Sequence, residues 1–517
     1  MIEQVKGLVA RAQKIGDVIR ETGGNIRIVS HYDADGITSA AIMVRALQRE
    51  HRGFHLSVIK QLTDDYIREL AKDKWGIVMF LDMGSGQLDS IQKHLSGKGT
   101  TIIVADHHEV QGDIYMDGLH HINPTTFGMT ENISGSGVSY LVARALSPKN
   151  TDLSELAIIG AIGDSQIGSI GPDWGLFGLN REILKDAEKT GKIRVGKGLR
   201  LWGRYSRPIH KALEFSIDPY IPGISGSESA AVQFLQDMGI RLKDDAGNWR
   251  TLAGLTEEEQ KKLASGVIAE RVVNGQDNPG WVFGDVYELM DKLSYKDANE
   301  FATILNATGK MKNEWLGVGA CLNVEGLDEE IKGVLTAYRR DIAKAIEWVR
   351  KNKSKIARVT ESGIYMDAGS RISEHVVSNV TSILSKSDML PSDRPVYMFV
   401  KTEDGKVKAS ARASDQLVKD GLNLKEVVSH AVKQVKGEGG GHAGAAGAFM
   451  PPDSVESFIS AVEKQLKKPT DTNIKTEKEV DTKPKEKPKE KEDAQKRETQ
   501  GKGEKVERQG LVRYLNA

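Results

Sequence analysis

Residues 26–30, Ile-Arg-Ile-Val-Ser, run straight into His31-Tyr32-Asp33-Ala34-Asp35-Gly36. The first five are short and mostly β-branched, which reads as a strand covered on both faces, the kind a parallel sheet requires. The next six are the opposite in character: a histidine, two aspartates and a closing glycine. Two later runs repeat the pattern. Ile77–Leu81 (IVMFL) leads into Asp82, and Thr101–Ala105 (TIIVA) leads into Asp106-His107-His108. Helical patterns lie between these runs, at 37–50, 64–71 and 87–95. Strands alternating with helices predict an α/β fold built on a doubly wound parallel sheet. Ligands bind outside the C-terminal ends of such strands, so the acids and histidines after the three runs are expected to converge. A fourth segment, Gly160-Ala161-Ile162-Gly163-Asp164-Ser165, offers another acid among small residues.

Clustered carboxylates repel, and burying them unpaired is costly. Divalent cations resolve this. Mixed carboxylate and imidazole donors suit Mn²⁺, with Mg²⁺ possible and Zn²⁺ disfavoured without thiolates. Two cations roughly 3.5–4 Å apart are the usual device for phosphoester hydrolysis. One aspartate after a strand is commonly only a helix cap, and Asp35 alone would read either way. Four such sites on successive elements are hard to attribute to capping.

Working outward, the chain has 517 residues, with 72 Lys+Arg against 72 Asp+Glu and 39% hydrophobic residues. That is enough for real cores and a prior of about three domains. The balanced charge decides nothing about a polyanionic partner, because only local distribution does. Cys321 is the single cysteine, which excludes an intrachain disulfide and fits a reducing compartment. No apolar stretch approaches the ~18 residues of a membrane span. Residues 1–21 read as an amphipathic helix without the apolar centre of a signal peptide, so a soluble cytoplasmic protein is expected.

The expected organisation is a catalytic domain over 1–190, a mostly helical insertion over 191–360, a smaller α/β domain over 361–468, a disordered charged linker over 469–508 and a short partner-docking segment over 509–517. In the insertion, Thr256-Glu257-Glu258-Glu259 is a capping-box signature for a helix reaching about Val273, and 327–351 is a second long helical pattern. Residues 396–402 read as a strand and Gly439–Gly447 (GGGHAGAAG) as a glycine-rich loop. The linker holds no aromatic residue and few aliphatics, too little to offset its ordering entropy. It ends in Leu511, Val512, Tyr514 and Leu515, a segment suited to a partner. Between Lys192 and Lys211 there is no acid; Arg200, Arg204 and Arg207 alternate with Trp202 and Tyr205, the composition of a single-strand binding track. Trp174, Phe177 and Asn180 read as packing residues.

These motifs resemble the DHH phosphoesterase superfamily. HYDADG, Asp82, the DHH of 106–108 and Asp164 match its four motifs, and Ser410-Ala411-Arg412 with GGGHAGAAG matches its DHHA1 substrate-binding domain. The nearest branch is the RecJ-like nucleases, within it the archaeal proteins that associate with the GINS replication complex. The resemblance covers about 1–180 and 360–466. It implies a single-strand exonuclease of DNA replication or repair, 5′ to 3′ on DNA, with two cations, Mn²⁺ favoured. His31 and Asp33 would hold one; Asp35, His107 and Asp164 the other; Asp82 would bridge them. Asp106 would orient a histidine and His108 would face the scissile phosphate. Ser410, Arg412, Gly440, Gly441 and His442 would bind substrate. One departure is His31, where many bacterial RecJ proteins carry aspartate. Expected partners are single-stranded DNA or RNA and GINS or another replisome protein. Rival readings are a nano-RNA or cyclic-dinucleotide phosphodiesterase, and an inert replisome scaffold of RecJ descent.

Overall fold

Five parallel strands build the first lobe: β1 (Ile26–His31), β2 (Phe54–Ile59), β3 (Ile77–Leu81), β4 (Thr101–Ala105) and β5 (Leu119–Ile122), in the order β2-β1-β3-β4-β5. Every residue of β3 is buried, because helices cover both faces. Ile77, Met79 and Leu81 join the core under α1 (Ile2–Glu21), α2 (Ala34–Arg49), α5 (Gly135–Leu146) and α6 (Ser154–Gly163). Val78 and Phe80 point the other way, into the core under α3 (Asp64–Leu70) and α4 (Leu88–Leu95). Burying one such aliphatic or aromatic side chain contributes roughly 1.5–3 kcal/mol. The strand order reverses between β1 and β3, and a reversal of this kind opens a crevice at the C-terminal edge of a sheet.

The structure, a computed structural model, describes residues 2–466 except 130–132, 169–174, 217–218, 277, 293 and 388. The charged linker 469–508, the terminal segment 509–517 and Trp174 lie outside these residues.

The insertion is helical in its interior, with Ile209–Glu214, Glu228–Asp237 and Glu257–Val273 around one small core. Thr256 forms the capping box read from the sequence. A two-stranded antiparallel ribbon, Ile193–Leu199 against Phe283–Leu289, ties the insertion down. A long helix, Asp328–Ile356, then leads to the last lobe.

That lobe is a six-stranded mixed sheet. Val407–Arg412 lies between Val396–Lys401 and Ala445–Met450, and Glu438–His442 forms the edge. The expected glycine-rich loop is therefore a strand pair. Glycine is needed there by close approach: a Cβ on Gly439 would lie 2.7 Å from the Gly447 carbonyl oxygen, and Gly441 has φ +144°. No helix among the described residues is long and apolar enough to cross a membrane.

Candidate metal centre

β1 ends on His31, and the chain turns at once into α2. Asp33 caps that helix, accepting the Gly36 N–H at 3.0 Å. Asp35 sits in the first turn, almost wholly buried, and accepts backbone N–H bonds from Gly135 (2.7 Å) and Ser136 (3.0 Å) at the start of α5. Capping thus falls to Asp33, and Asp35 is turned inward. Asp82 follows β3 with φ +56°, a strained value for a residue with a side chain. Asp106, His107 and His108 follow β4, and Asp164 ends α6. Glycine makes room around them. A Cβ on Gly135 would stand 2.5 Å from Asp82 Oδ1, and one on Gly160 the same distance from Asp35 Oδ1.

The six expected ligands come together. His31 Nδ1 lies 3.0 Å from Asp33 Oδ2 and 3.5 Å from Asp82 Oδ2. His107 Nε2 lies 3.4 Å from Asp82 Oδ1, 3.7 Å from Asp164 Oδ2 and 3.8 Å from Asp35 Oδ2. Two groups result, His31–Asp33–Asp82 and Asp35–His107–Asp164, each with its donor atoms within 4.8 Å of one another. Asp82 stands between them.

Three buried atoms here, His31 Nδ1, Asp82 Oδ1 and His107 Nε2, have charged neighbours at 3.0–3.5 Å but no hydrogen bond of good geometry. Buried polar atoms are nearly always satisfied, so three such atoms aimed at one another point to cations as the missing partners. The donor set of imidazole and carboxylate fits Mn²⁺ or Mg²⁺. The titration behaviour agrees. Burial opposes charge on His31 and His107, but the surrounding carboxylates outweigh it and hold both well above the ordinary imidazole range. Burial and neighbouring acids push the Asp35 carboxyl up, and burial does the same to Asp164. Protons here do the neutralising that bound cations would take over.

Around this centre lies a supporting layer. Asp106 is fully buried; its carboxylate accepts the N–H groups of His107 (2.8 Å), His108 (3.2 Å) and Ser85 (2.9 Å) and contacts His108 Nδ1 at 2.8 Å. Although burial opposes it, Asp106 raises His108 to about 9. Three residues were missed in the sequence. Gln166 donates to Asp164 (2.9 Å) and accepts from Asn180 (2.5 Å), so Asn180 is part of a polar relay and not mere packing. Asn306 accepts the Ala34 N–H at 3.0 Å, from a helix (Ala298–Lys310) that meets the loop where a Cβ on Gly309 would strike the Tyr32 carbonyl. Lys310 ends that helix, feels Asp33 on one side and Arg412 on the other, and is pushed down to about 8 by burial and Arg412. A lone amide or a lysine at a helix end gives no sequence signal, and only tertiary contact gives these their place.

The last lobe reaches the rim of the centre. Lys60, just past β2, pairs with Glu374 (2.6 Å), and Glu109, just past His108, pairs with Lys425 (3.0 Å). On the strand Val407–Arg412, Lys408, Ser410 and Arg412 share the face opposite the core residues Val407, Ala409 and Ala411. Arg412 donates to Ser382 Oγ (2.7 Å) and to the Ala411 carbonyl (2.8 Å), and burial lowers it to about 10. His442, with Gly440 and Gly441, is on the edge strand and exposed.

The basic run of the insertion is placed differently from expectation. Lys192, Arg194 and Lys197 pair with Asp291, Glu288 and Asp285 on or beside the facing ribbon strand. Arg200 lies over Trp281, and Arg207 over Trp202. Arg204 is a correction: only 8% exposed, it turns inward beside Gly198 and is not a surface cation.

Comparison with known proteins fits this geometry. The profile of the DHH family N-terminal domain matches residues 25–163, that of the DHH-CID domain 201–279 and that of the DHHA1 domain 362–468. The single-stranded-DNA-specific exonuclease RecJ of Thermus thermophilus is 29% identical over 263 residues, covering 48% of this chain and 37% of that protein. The chain is a RecJ-like DHH/DHHA1 protein. It is 30% identical over 472 residues to the uncharacterized protein MJ0831 of Methanocaldococcus jannaschii, covering 90% of this chain and 98% of that one. In fold it resembles the crystal structure of T. thermophilus RecJ in complex with Mn²⁺ (TM-score 0.53, 18% identity, 89% of this chain and 54% of that one). It also resembles CDC45 from Entamoeba histolytica (TM-score 0.55, 11% identity, 89% and 98%).

Proposed function

We propose that this RecJ-like protein is a two-cation phosphodiesterase that removes nucleotides from an end of single-stranded nucleic acid, 5′ to 3′ on DNA, in replication or repair. The observation that carries the reading is the convergence of His31 Nδ1, Asp82 Oδ1 and His107 Nε2, buried and without a well-formed hydrogen bond, among three further carboxylates. Two divalent cations, Mn²⁺ favoured and Mg²⁺ possible, would supply Lewis acidity toward the phosphate oxygens and an activated water. His31 and Asp33 would hold one, Asp35, His107 and Asp164 the other, and Asp82 both. The protein's own groups do the rest. Asp106 fixes the His108 ring through Nδ1, which leaves Nε2 to face a phosphate oxygen. Arg412 and His442, with Ser410 and the Gly440–Gly441 backbone, take the phosphate from the opposite wall. GINS or another replisome protein is the partner in this reading, on the RecJ-like resemblance.

The rival reading, a phosphodiesterase for dinucleotides, gains from the pairing of Lys192, Arg194 and Lys197 with acids, which shortens any basic track. Digestion of 20-mer DNA and RNA in Mn²⁺, labelled at either end, separates the two. The proposal expects single nucleotides released from one end, and none from an Asp82→Ala variant that melts like the wild type. Hydrolysis confined to dinucleotides would sink it.

A further inference from the structure

Trp202 is the centre of an unusual stack. The Arg207 guanidinium lies 4.2 Å from the centre of its ring and the Arg339 guanidinium 4.1 Å. Arg207 belongs to the insertion and Arg339 to the long helix Asp328–Ile356, so the indole joins two parts of the chain. Arg207 also lies 4.8 Å from the ring of Phe215, which is half exposed. Two like charges are thus held no more than about 8 Å apart, since both touch one ring.

Neither guanidinium has a carboxylate within ion-pair distance or a hydrogen bond among the described residues, and Arg339 Nη2 and Trp202 Nε1 are buried without a partner. Two acids act on the pair without an ion-pair contact, Glu300 on both guanidinium groups and Glu214 on Arg207; the Glu300 oxygens accept from Ser206 Oγ (2.7 Å) and the Tyr205 N–H (3.4 Å), and Glu214 pairs with Lys211 (2.8 Å). Burial and Arg207 push Arg339 down to about 10, and the pull of Glu300 in the other direction is too weak to offset them. A guanidinium held over an aromatic ring by its charge still carries five N–H donors in a planar fork. Two such forks at one indole are arranged to receive an oxyanion.

Their position links them to the metal centre. The helix Ala298–Lys310 contacts the stack's neighbours through Glu300 and the metal loop through Asn306, six residues and so about 9 Å along its axis. The residue before Arg339, Tyr338, receives a hydrogen bond from Lys310 at 3.3 Å. The same helix thus touches both the metal loop and the surroundings of the stack.

We propose that Arg207 and Arg339, held on Trp202, form a phosphate-binding subsite for a nucleic-acid single strand, set apart from the metal centre along the helix Ala298–Lys310. Phe215 offers the adjoining surface on which a base stacks. This rests on the single-strand reading above. It replaces the linear track of Arg200, Arg204 and Arg207 with a compact pair in which Arg339, more than a hundred positions downstream, is an equal member.

The test is anisotropy of a labelled 20-mer with the full-length chain in chelator, across a salt series, for wild type, Arg339→Gln, Arg207→Ala and the double variant. Each single change is expected to weaken binding roughly tenfold or more. The slope of log affinity against log salt is expected to fall by about 0.7 per phosphate contact removed. The loss should be several-fold larger for the 20-mer than for a dinucleotide. Variants that melt like the wild type and keep its affinity overturn the subsite. So does a loss of affinity with an unchanged salt slope, which would mark the stack as packing between the insertion and the long helix. If Arg207→Ala alone lowers the melting temperature, Arg339→Gln decides, because it keeps the planar side chain and removes the charge. A wild-type chain that binds no 20-mer overturns the single-strand reading itself, whatever the variants do.

Discussion

Asn306→Ala removes one hydrogen bond from the loop that carries half of the ligands. The Asn306 side-chain oxygen accepts the Ala34 N–H at 3.0 Å, and Ala34 is fully buried between Asp33 and Asp35. As a first-turn N–H it has no partner within α2. Without Asn306 it becomes a buried unsatisfied donor, at a cost of about 1–3 kcal/mol. That cost falls either on folding or on the ordering of the loop by cations. In the second case, at roughly 1.4 kcal/mol per factor of ten, Mn²⁺ affinity drops about five- to a hundredfold. Calorimetric titration with Mn²⁺, with a thermal melt in chelator, measures both shares. Asn306→Asp keeps an acceptor in place and is expected to restore affinity. Unchanged Mn²⁺ affinity together with an unchanged melt in Asn306→Ala would refute the argument that this helix holds the loop.

Gly135→Ala puts a Cβ 2.5 Å from Asp82 Oδ1, so it should shift the shared carboxylate and cost at least about tenfold in Mn²⁺ affinity; wild-type affinity would mean the contact relaxes. Arg412→Ala and His442→Ala should weaken oligonucleotide binding roughly ten- to a hundredfold by losing a charge-assisted phosphate contact, and a change in Mn²⁺ binding in either would contradict the two-wall cleft. Lys310 is pushed down to about 8 by burial and Arg412, and Lys408 to about 8 by burial and Lys60. Both charges are present below that pH and lost above it, so affinity for oligonucleotides should fall as pH rises through about 8; a flat profile of Kd against pH would exclude these lysines from the cleft.

The sheet was legible where both faces are covered. β3 and β4 stand out as apolar runs because helices pack on either side of them, and β1 does so in spite of Arg27. β2 was not legible: Phe54-His55-Leu56-Ser57-Val58-Ile59 is at the sheet edge, partly exposed along its length, and its polar residues mask the run. β5 is four residues with two histidines, too short to register. Five of the six candidate ligands were legible because they end or follow a strand, and parallel topology sends all such ends to one edge; Asp164 instead ends α6. Gln166, Asn306 and Lys310 were not, since each acts on a partner set by packing between distant elements; Asn306 is 272 positions from the N–H it accepts. The basic run failed for a related reason. Its counter-charges, Asp285, Glu288 and Asp291, are about ninety residues downstream and meet it only through antiparallel pairing. In GGGHAGAAG, close strand approach and loop flexibility both call for glycine, and sequence does not tell them apart.

The central claim is a pair of cations sharing Asp82. Electron paramagnetic resonance of the full-length chain titrated with Mn²⁺ tests it most directly, because two ions bridged by one carboxylate couple magnetically and isolated ions do not. Two Mn²⁺ per chain with a coupled signal are expected, and loss of the coupling in an Asp82→Ala variant that keeps its fold. A single uncoupled ion in the wild type, or coupling that survives Asp82→Ala, would contradict it.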